Sequence, residues 1–447
     1  MAKAIDGGDS ALVVVVGAGG CGMVAALAAA ESGARVLLVE KTDIPGGNTA
    51  LTTSLVVAGS RYQRDEGIED DPEAFIADIT RRNGGQASPG LVKLMAQQGA
   101  PVLEWLADRT GIEFTVAQGA SGHSQRRAHG CGGGWAFVRE LISTVTKHPN
   151  IEIRWSTPVR SLILDSSGAA IGIQTEKGVI TAGKVILATG GFGANKDMVA
   201  HYIPKADGIP YRGHPGVEGD SVRMGLEAGG VVANMDSFLP YPTYFRPLQL
   251  PMPQPLIHNG AILVGENGGR FVDETRYPSG PGATMLDMPG KCAYEIFDAR
   301  IRQEVASELA PVIARQAFVT GSSSDELAAK LGIDPKGLSQ SIEEYNAAAS
   351  GGTDQFGRTP QALLSAPFYG AQVWVSLYNT QGGLRVNENG QALKADGTTI
   401  PNLYAGGDAS EGISGPGATG YLPGNGTLTA IVLGKVAGEH AARSLQD

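Results

Sequence analysis

Cysteine is scarce in this chain: Cys21, Cys131 and Cys292 are the only three among 447 residues. With no CxxC pair and no metal-ligand spacing, they exclude a disulfide-stapled secreted scaffold and a zinc or iron–sulfur module. No metal is expected, and free thiols point to a reducing compartment, the cytoplasm. Basic charge is also in short supply. Thirty-five Lys and Arg stand against 45 Asp and Glu, for a formal net charge of −10, which argues against nucleic acid or an anionic membrane surface as the partner. Internal repeats and low-complexity tails are absent. One uncharged run, Ala11 to Ala30, has membrane length. Gly17, Gly19, Gly20 and Gly22 interrupt its middle, and Asp6 and Asp9 precede it where a signal peptide would be basic. A strand, a turn and a packed helix explain it better than a membrane span.

Glycine, by contrast, is abundant. The 64 glycines exceed the usual share of about 7%. They have no fixed period and gather between apolar runs, where a backbone turns tightly or approaches a ligand. The chain is also too long for one ordinary core. Leu12 to Val16 has the β-branched pattern of a strand buried on both faces. Met23 to Ser32 is alanine-rich and helical, and Arg35 to Val39 is a second strand, so the N-terminus forms a right-handed βαβ unit. Asp71 to Gly111 has a helical pattern, and Ile151 to Val185 alternates as a small antiparallel meander leading into the strand Val185 to Ala188. Six prolines between Pro240 and Pro255 suggest irregular surface or a domain crossing, and Ser324 to Ser350 reads as helical. Leu403 to Leu445 returns to strand, glycine loop and helix. The expected architecture is α/β, a Rossmann-like domain built from residues 1–236 and 376–447, with an α+β unit, residues 237–375, inserted between them.

The sequence Gly17-Ala18-Gly19-Gly20-Cys21-Gly22 lies between a strand and a helix, the context that makes GxGxxG informative. Gly17 permits the tight turn, Gly19 admits a diphosphate close to the backbone, and Gly22 lets helix and strand pack. The helix N-terminus then faces the phosphate charge. Glu40 ends the second strand roughly twenty residues on, where a carboxylate accepts ribose hydroxyls and disfavours a 2′-phosphate. Gly46-Gly47-Asn48-Thr49 forms a second small-residue loop. Far downstream, Asn402 to Asp408 reads as a strand ending in an acid, followed by Gly424-Asn425-Gly426 and a final helix from Thr427. No second GxGxxG follows a strand.

This combination resembles the flavoprotein family of fumarate reductases, succinate dehydrogenase flavoprotein subunits, tricarballylate dehydrogenase and 3-ketosteroid dehydrogenases, over the first 235 or so residues and the last 70. The resemblance implies non-covalent FAD, since no histidine follows Gly47 closely. It implies cofactor contacts at Gly17, Gly19, Gly20, Cys21, Gly22, Glu40, Lys41, Gly46, Gly47, Asn48 and Thr49. It also implies contacts at Val159, through its backbone to adenine, and at Ala188, Thr189 and Gly190. Asp408, after Gly407, would bind the ribityl chain, and Asn425, Gly426, Thr427 and Leu428 would lie at the flavin's pyrimidine edge. The last helix would direct its positive end at the flavin O2.

In the fumarate reductase branch, histidines and arginines of a capping domain grip a dicarboxylate. Here Tyr241 stands at the first histidine position, Tyr378-Asn379 at the histidine pair and Tyr421 at an arginine. Burying two carboxylates without matching cations costs several kcal/mol each, so the substitutions favour a neutral cyclic or steroid-like enone. The resemblance implies hydride exchange with flavin N5 and proton transfer by a tyrosine or arginine. Arg276 and Tyr277 adjoin the RFxxE-like segment Arg270 to Glu274, and the choice between them stays open; Tyr421, Tyr378 and Tyr241 are the other candidates. His123 and His129, which flank Arg126 and Arg127, either assist binding or form a solvated basic loop. Electrons would come from or go to an external carrier. The alternatives are an enzyme of di- or tricarboxylic acids using Arg276 and Arg246, and an FAD-dependent monooxygenase.

Overall fold

The structure is a computed structural model that describes residues 12–118, 123–276, 279–313 and 318–445. The chain forms two compact units. One comprises Met1–Asp207, Gly213–Phe238 and Asn379–Asp447, and the other Gly208–Arg212 with Leu239–Tyr378.

The first unit is built on a six-stranded sheet in the order Gln391–Leu393, Thr399–Ala405, Lys184–Leu187, Leu12–Val16, Arg35–Val39, Ile151–Arg154. All neighbours are parallel except the edge strand Gln391–Leu393. Val14, at the centre, pairs with Val185 on one side and Leu37 on the other. Leu12 to Val16 are at most 5% exposed, as a continuous apolar run covered on both faces requires. Helix Gly20–Glu31 is buried almost all round, because a sheet lies on one side and the last helix, Asn425–Arg443, on the other. Glycine makes that approach possible. A Cβ on Gly434 would lie 2.6 Å from the Cys21 carbonyl oxygen, and one on Gly438 would lie 2.3 Å from that of Ala25.

Two local expectations change here. Ile151–Arg154 is not part of the meander; it joins the parallel sheet beside Arg35–Val39. The meander itself is Val159–Leu164, Ala170–Thr175 and Gly178–Thr181. A four-residue strand cannot show from its own alternation which partner it takes.

The second unit carries a mixed-length sheet in the order Leu250–Pro251, Phe238–Phe245, Phe368–Thr380, Cys292–Asp298, Ile262–Val264, with Val319–Gly321 also on Phe368–Thr380. The proline-rich stretch is therefore partly a strand and not irregular surface. Pro240 and Pro242 are two residues apart, so their missing N–H groups fall on one side. Among the described residues, the pairing of that strand with residues 250–252 involves Thr243, Tyr244 and Phe245, beyond both prolines. The predicted helix over 324–350 is two helices, Ser324–Leu331 and Pro335–Ala349. Gly332 ends the first in a left-handed conformation, and Asp334 caps the second through its carboxylate.

Candidate functional site

All the parallel strands of the first unit point the same way, so their C-terminal ends bring Gly17, Glu40, Ala188 and Gly406 to one edge of the sheet, where α/β folds bind ligands. Gly17 has φ +105°, and a Cβ there would sit 2.5 Å from the Ala188 carbonyl oxygen. Gly22 is tighter still: its Cβ would lie 1.8 Å from the Gly17 carbonyl oxygen. Both are demanded by the protein itself. Gly19 differs, because a Cβ there would meet nothing nearer than Gly46 O at 3.8 Å, and one on Gly47 nothing nearer than Gly19 Cα at 3.8 Å. Two facing glycines with open space beyond them leave a backbone-lined cradle.

The two glycine loops are stitched together. Gly46 N–H donates to Ala18 O at 2.8 Å, and Gly20 N–H donates to Thr49 Oγ1 at 3.1 Å. Glu40 braces the same corner: its Oε2 accepts from Ala18 N–H at 2.8 Å, and its Oε1 accepts from Thr42 N–H at 2.9 Å and Thr42 Oγ1 at 3.0 Å, which leaves a further lone pair on Oε2 for a ribose hydroxyl. Val159 begins its strand nearby in sequence terms through Thr157, whose N–H donates to Glu40 O at 2.8 Å. Lys41 is committed within the protein: its ammonium bridges Glu218 at 2.7 Å and Asp220 at 2.9 Å. Burial opposes its charge, but the two carboxylates outweigh that and raise its pKa. Thr189 likewise spends its hydroxyl on Ser221, 2.5 Å away. At these two positions the side chains already have partners within the protein.

Asp408 lies on the turn after strand Thr399–Ala405. Burial pushes its carboxyl up to about 7, against the pull of a hydrogen bond from Asn48. Beside it, the final helix begins after Gly424 with no side-chain cap and no acid in its first turn. Three amides gather there. Asn379 Oδ1, Gln381 Nε2 and Asn425 Oδ1 are buried without a hydrogen-bond partner among the described residues. A Cβ on Gly426 would lie 3.2 Å from Asn379 Nδ2, 3.5 Å from Gln381 Nε2 and 3.7 Å from an Asp408 oxygen. Orphaned buried amides are costly unless something binds them. Donors and acceptors next to an uncapped helix N-terminus match the pyrimidine edge of a flavin, and Gly19 and Gly47 match its diphosphate. FAD fits the residues present. Asn379 and Gln381 belong to this set, whereas the sequence position of Asn379 had suggested only the substrate. Thr427 Oγ1 contacts Thr52 Oγ1 at 2.9 Å, and Leu428 is core.

Cys21 is buried against Gly406 and Gly407. Burial, and then the Asp408 charge, push its thiol up to about 12. Since all three free cysteines are buried, the native protein is expected to react with no equivalent of a thiol-specific disulfide reagent and the urea-unfolded protein with three. Rapid native labelling of any one thiol would contradict the burial of all three.

The basic loop is not solvated. Arg127 is fully buried, with Asp70 at 2.6 Å, Asp78 as a second carboxylate partner and the Phe75 ring under its guanidinium. His129 bridges Ser60 Oγ and Arg127 O, each at 2.7 Å. Burial and the Arg127 charge push His123 down to about 4, so it is neutral. Only Arg126 remains near the surface, paired with Glu66. Tyr421 is buried, and its carbonyl accepts from Arg82 Nε at 2.9 Å.

In the second unit the rings of Tyr241 and Tyr378 stack at 5.8 Å and 30°. Gln254 Nε2 donates to the Tyr241 hydroxyl at 2.8 Å. Burial raises the pKa of both phenols, and at Tyr378 the Arg212 cation opposes that rise. Arg212 lies over the Tyr244 ring, and its Nε is buried without a hydrogen-bond partner among the described residues. Nothing in the local sequence around Arg212 marked it, because its tyrosine neighbours come from distant strands. Arg276 is exposed, Arg246 is exposed and stacked on Trp374, and Tyr277 lies outside the described residues.

The comparisons with known proteins agree with this geometry. The FAD binding domain family matches residues 13–427. The chain is 33% identical over 448 residues to fumarate reductase (cytochrome) of Shewanella frigidimarina, covering 97% of this chain and 77% of that protein. Among solved structures, the open conformation of a flavocytochrome c3 fumarate reductase superposes with TM-score 0.82 at 28% identity, covering 98% of this chain and 79% of the other. The 3-ketosteroid-Δ4-(5α)-dehydrogenase of Rhodococcus jostii RHA1, in complex with 4-androstene-3,17-dione, superposes with TM-score 0.80 at 25% identity, covering 96% of each chain. No helix among the described residues is long and apolar enough to cross a membrane. Cradle, orphaned amides and kinship converge on one cofactor: the chain belongs to the FAD-binding family of the fumarate reductases and ketosteroid dehydrogenases, and is an FAD-dependent oxidoreductase acting on CH–CH or C=C bonds.

Proposed function

We propose that the enzyme adds or removes hydrogen across the carbon–carbon bond next to a ketone in a neutral cyclic or steroid-like substrate. The observation that carries the reading is the stacked pair Tyr241 and Tyr378, which occupies positions where a dicarboxylate clamp would need cations. Bound FAD supplies hydride exchange at its N5. Tyr241 holds its proton tightly and donates a hydrogen bond to the substrate carbonyl, with Gln254 fixing its oxygen. Tyr378 moves the substrate proton, because Arg212 beside it stabilises the phenolate that results. Tyr421, Arg276 and Tyr277 remain secondary candidates, and the exposure of Arg276 argues against it. Electrons pass to or from an external carrier. Buried free thiols support placement in the cytoplasm.

The test is anaerobic bleaching or reoxidation of the bound flavin against a panel of steroids, cyclic enones and carboxylic acids. An enone is expected to react, and turnover of fumarate or succinate with no enone overturns the reading. With the enone that reacts, Tyr378→Phe is expected to lower kcat about 10²- to 10³-fold, the scale of a lost acid–base group, while Tyr241→Phe mainly raises KM.

A second reading rests on the partnerless Arg212 Nε. A single carboxylate could pair there, in which case Arg212→Ala would raise KM for monocarboxylic acids and spare neutral enones.

A further inference from the structure

Trp374 lies on the strand that carries Tyr378, and Arg246 follows the strand that carries Tyr241. Along Phe368–Thr380, alternation sends Val373, Val375 and Leu377 to one face, where they are at most 1% exposed. Gln372, Trp374, Ser376 and Tyr378 take the other face, and all of them but Ser376 are only half-buried. The neighbouring strand Phe238–Phe245 adds a second row on that side. Its Tyr241 lays a ring on Tyr378, and Arg246, just past its end, sets a guanidinium 4.6 Å from the centre of the Trp374 ring.

The two ring contacts mark the ends of one strip. Trp374 and Tyr378 are four residues apart, so about 13 Å of strand separates them at roughly 3.3 Å per residue. Beyond Trp374 the strip closes, because Gln372 Nε2 donates to Cys292 Sγ at 3.3 Å. Between the rings stands Ser376, 1% exposed, whose hydroxyl has no hydrogen-bond partner among the described residues. At the far end Arg246 is exposed and forms no ion pair among the described residues. The strip thus has aromatic walls, an unspent hydroxyl and a cation without an acidic partner. It is longer than a single six-membered ring and comparable to a fused polycyclic skeleton.

We propose that this strip is the subsite for the distal end of an elongated, flat enone, with Trp374 as its apolar wall and Arg246 as the donor to an oxygen remote from the reacting ring. The inference rests on the enone reading above and narrows it from cyclic ketones at large to fused-ring substrates that carry a second oxygen. With the reacting ketone at Tyr241, the skeleton runs over Ser376 and its far ring displaces water from Trp374. The indole face already holds Arg246 without substrate, so less side-chain freedom is lost on binding. Its N–H groups can donate to a ketone, hydroxyl or carboxylate oxygen alike. A single-ring enone reaches the tyrosines and gains nothing from the far end. No bond forms or breaks in the subsite; it selects which substrates are held, not how they react.

The experiment uses the full-length FAD-loaded enzyme with a dye as electron donor or acceptor. It compares kcat/KM for 2-cyclohexenone, 4-androstene-3,17-dione, the same steroid lacking its distal ketone, and the same steroid with a carboxylate in that ketone's place. For wild type, the expected result is a kcat/KM about tenfold higher for a steroid with a distal oxygen than for the one without, the scale of a hydrogen bond to a charged donor. The larger gain, ketone or carboxylate, tells whether the distal oxygen is neutral or anionic. Arg246→Ala should bring that ratio close to one, mainly through KM, and Arg246→Lys should restore part of it. Trp374→Ala, and Ser376→Leu by filling the space between the rings, should lower all three steroids relative to 2-cyclohexenone, provided circular dichroism shows the variants folded. A merely structural Arg246 would change every substrate alike and leave the ratio intact. Equal kcat/KM for the three steroids in wild type, or a ratio that survives Arg246→Ala, overturns the proposal. If no enone reacts with any form, the enone reading itself falls, whereas an enzyme that turns over 2-cyclohexenone but gains nothing from a distal oxygen defeats only the subsite.

Discussion

Gly22→Ala is expected to give a protein that is destabilised and does not retain flavin, whereas Gly19→Ala folds normally and loses flavin alone. The two glycines lie three residues apart in the same motif, but the space around them differs. A methyl on Gly22 would lie 1.8 Å from the Gly17 carbonyl oxygen and 3.3 Å from the Ala188 Cβ. Helix Gly20–Glu31 would have to lift off strand Leu12–Val16, and overpacking of this kind costs about 1–3 kcal/mol, or more when backbone rather than side chains must move. A methyl on Gly19 meets no protein atom closer than 3.8 Å, and the extended backbone there, φ −75° and ψ −178°, suits alanine. What it fills is the space a diphosphate needs. A shift of about 3 kcal/mol in binding is roughly a hundredfold in Kd. Fluorescence titration of FAD into apoprotein, together with thermal unfolding of the apoprotein, separates the two cases. If Gly19→Ala bound FAD as tightly as wild type, the facing glycines would not be the diphosphate cradle.

The contrast also shows what the sequence could and could not reveal. A strand, a turn and a helix over Leu12 to Glu31 are local, so glycine spacing and a β-branched run carry their meaning in order along the chain. Glu40 and Asp408 were legible for the same reason: each ends a recognisable strand. The amides of Asn379 and Gln381, which join the already named Asn425, were not. Their grouping depends on an extended strand's end meeting a distant helix start, and an Asn or Gln in isolation is as common on a surface. Glu295 was visible as one of two acids inside Cys292–Asp298, yet its carboxylate's lack of a hydrogen-bond partner among the described residues emerges only once the fold is known. Pro240 and Pro242 misled because proline frequency says nothing about which edge of a sheet a strand occupies. The basic loop at Arg126 and Arg127 misled because the aspartates that bury it, Asp70 and Asp78, lie about fifty residues earlier.

Glu274→Ala is expected to lower the stability of the second unit by about 3–5 kcal/mol, the scale of breaking a buried ion pair on one side. The RFxxE-like segment had been read for its proximity to a catalytic arginine, but its own residues form a strut. Glu274 accepts from Arg270 at 2.8 and 2.9 Å, from Arg358 at 2.6 Å and from Leu263 N–H at 3.1 Å. Arg270 also reaches Asp354 at 2.7 Å, and Arg358 reaches the carbonyls of Ile257 and Ala261, each at 2.9 Å. The side chains of Glu274, Arg270, Arg358 and Asp354 are each at most 4% exposed. With Glu274 removed, Arg270 would keep Asp354, but the buried Arg358 guanidinium would be left with only the carbonyls of Ile257 and Ala261 and no counter-charge. Arg276, two residues further on and exposed, should change stability by no more than about 0.5 kcal/mol on truncation, as surface substitutions do. Acid acts in the same direction as Glu274→Ala. Arg270 and the backbone N–H groups of Phe356 and Arg358 outweigh burial and hold Asp354 below the usual carboxylate range. Its stabilising contribution is therefore present above the unfolded-state pKa and is lost as pH falls through the lowered folded one. Urea unfolding of wild type, Glu274→Ala and Arg276→Ala at neutral pH measures the difference. Similar midpoints for Glu274→Ala and wild type would mean that the strut relaxes or admits water, and that the segment is retained for chemistry instead.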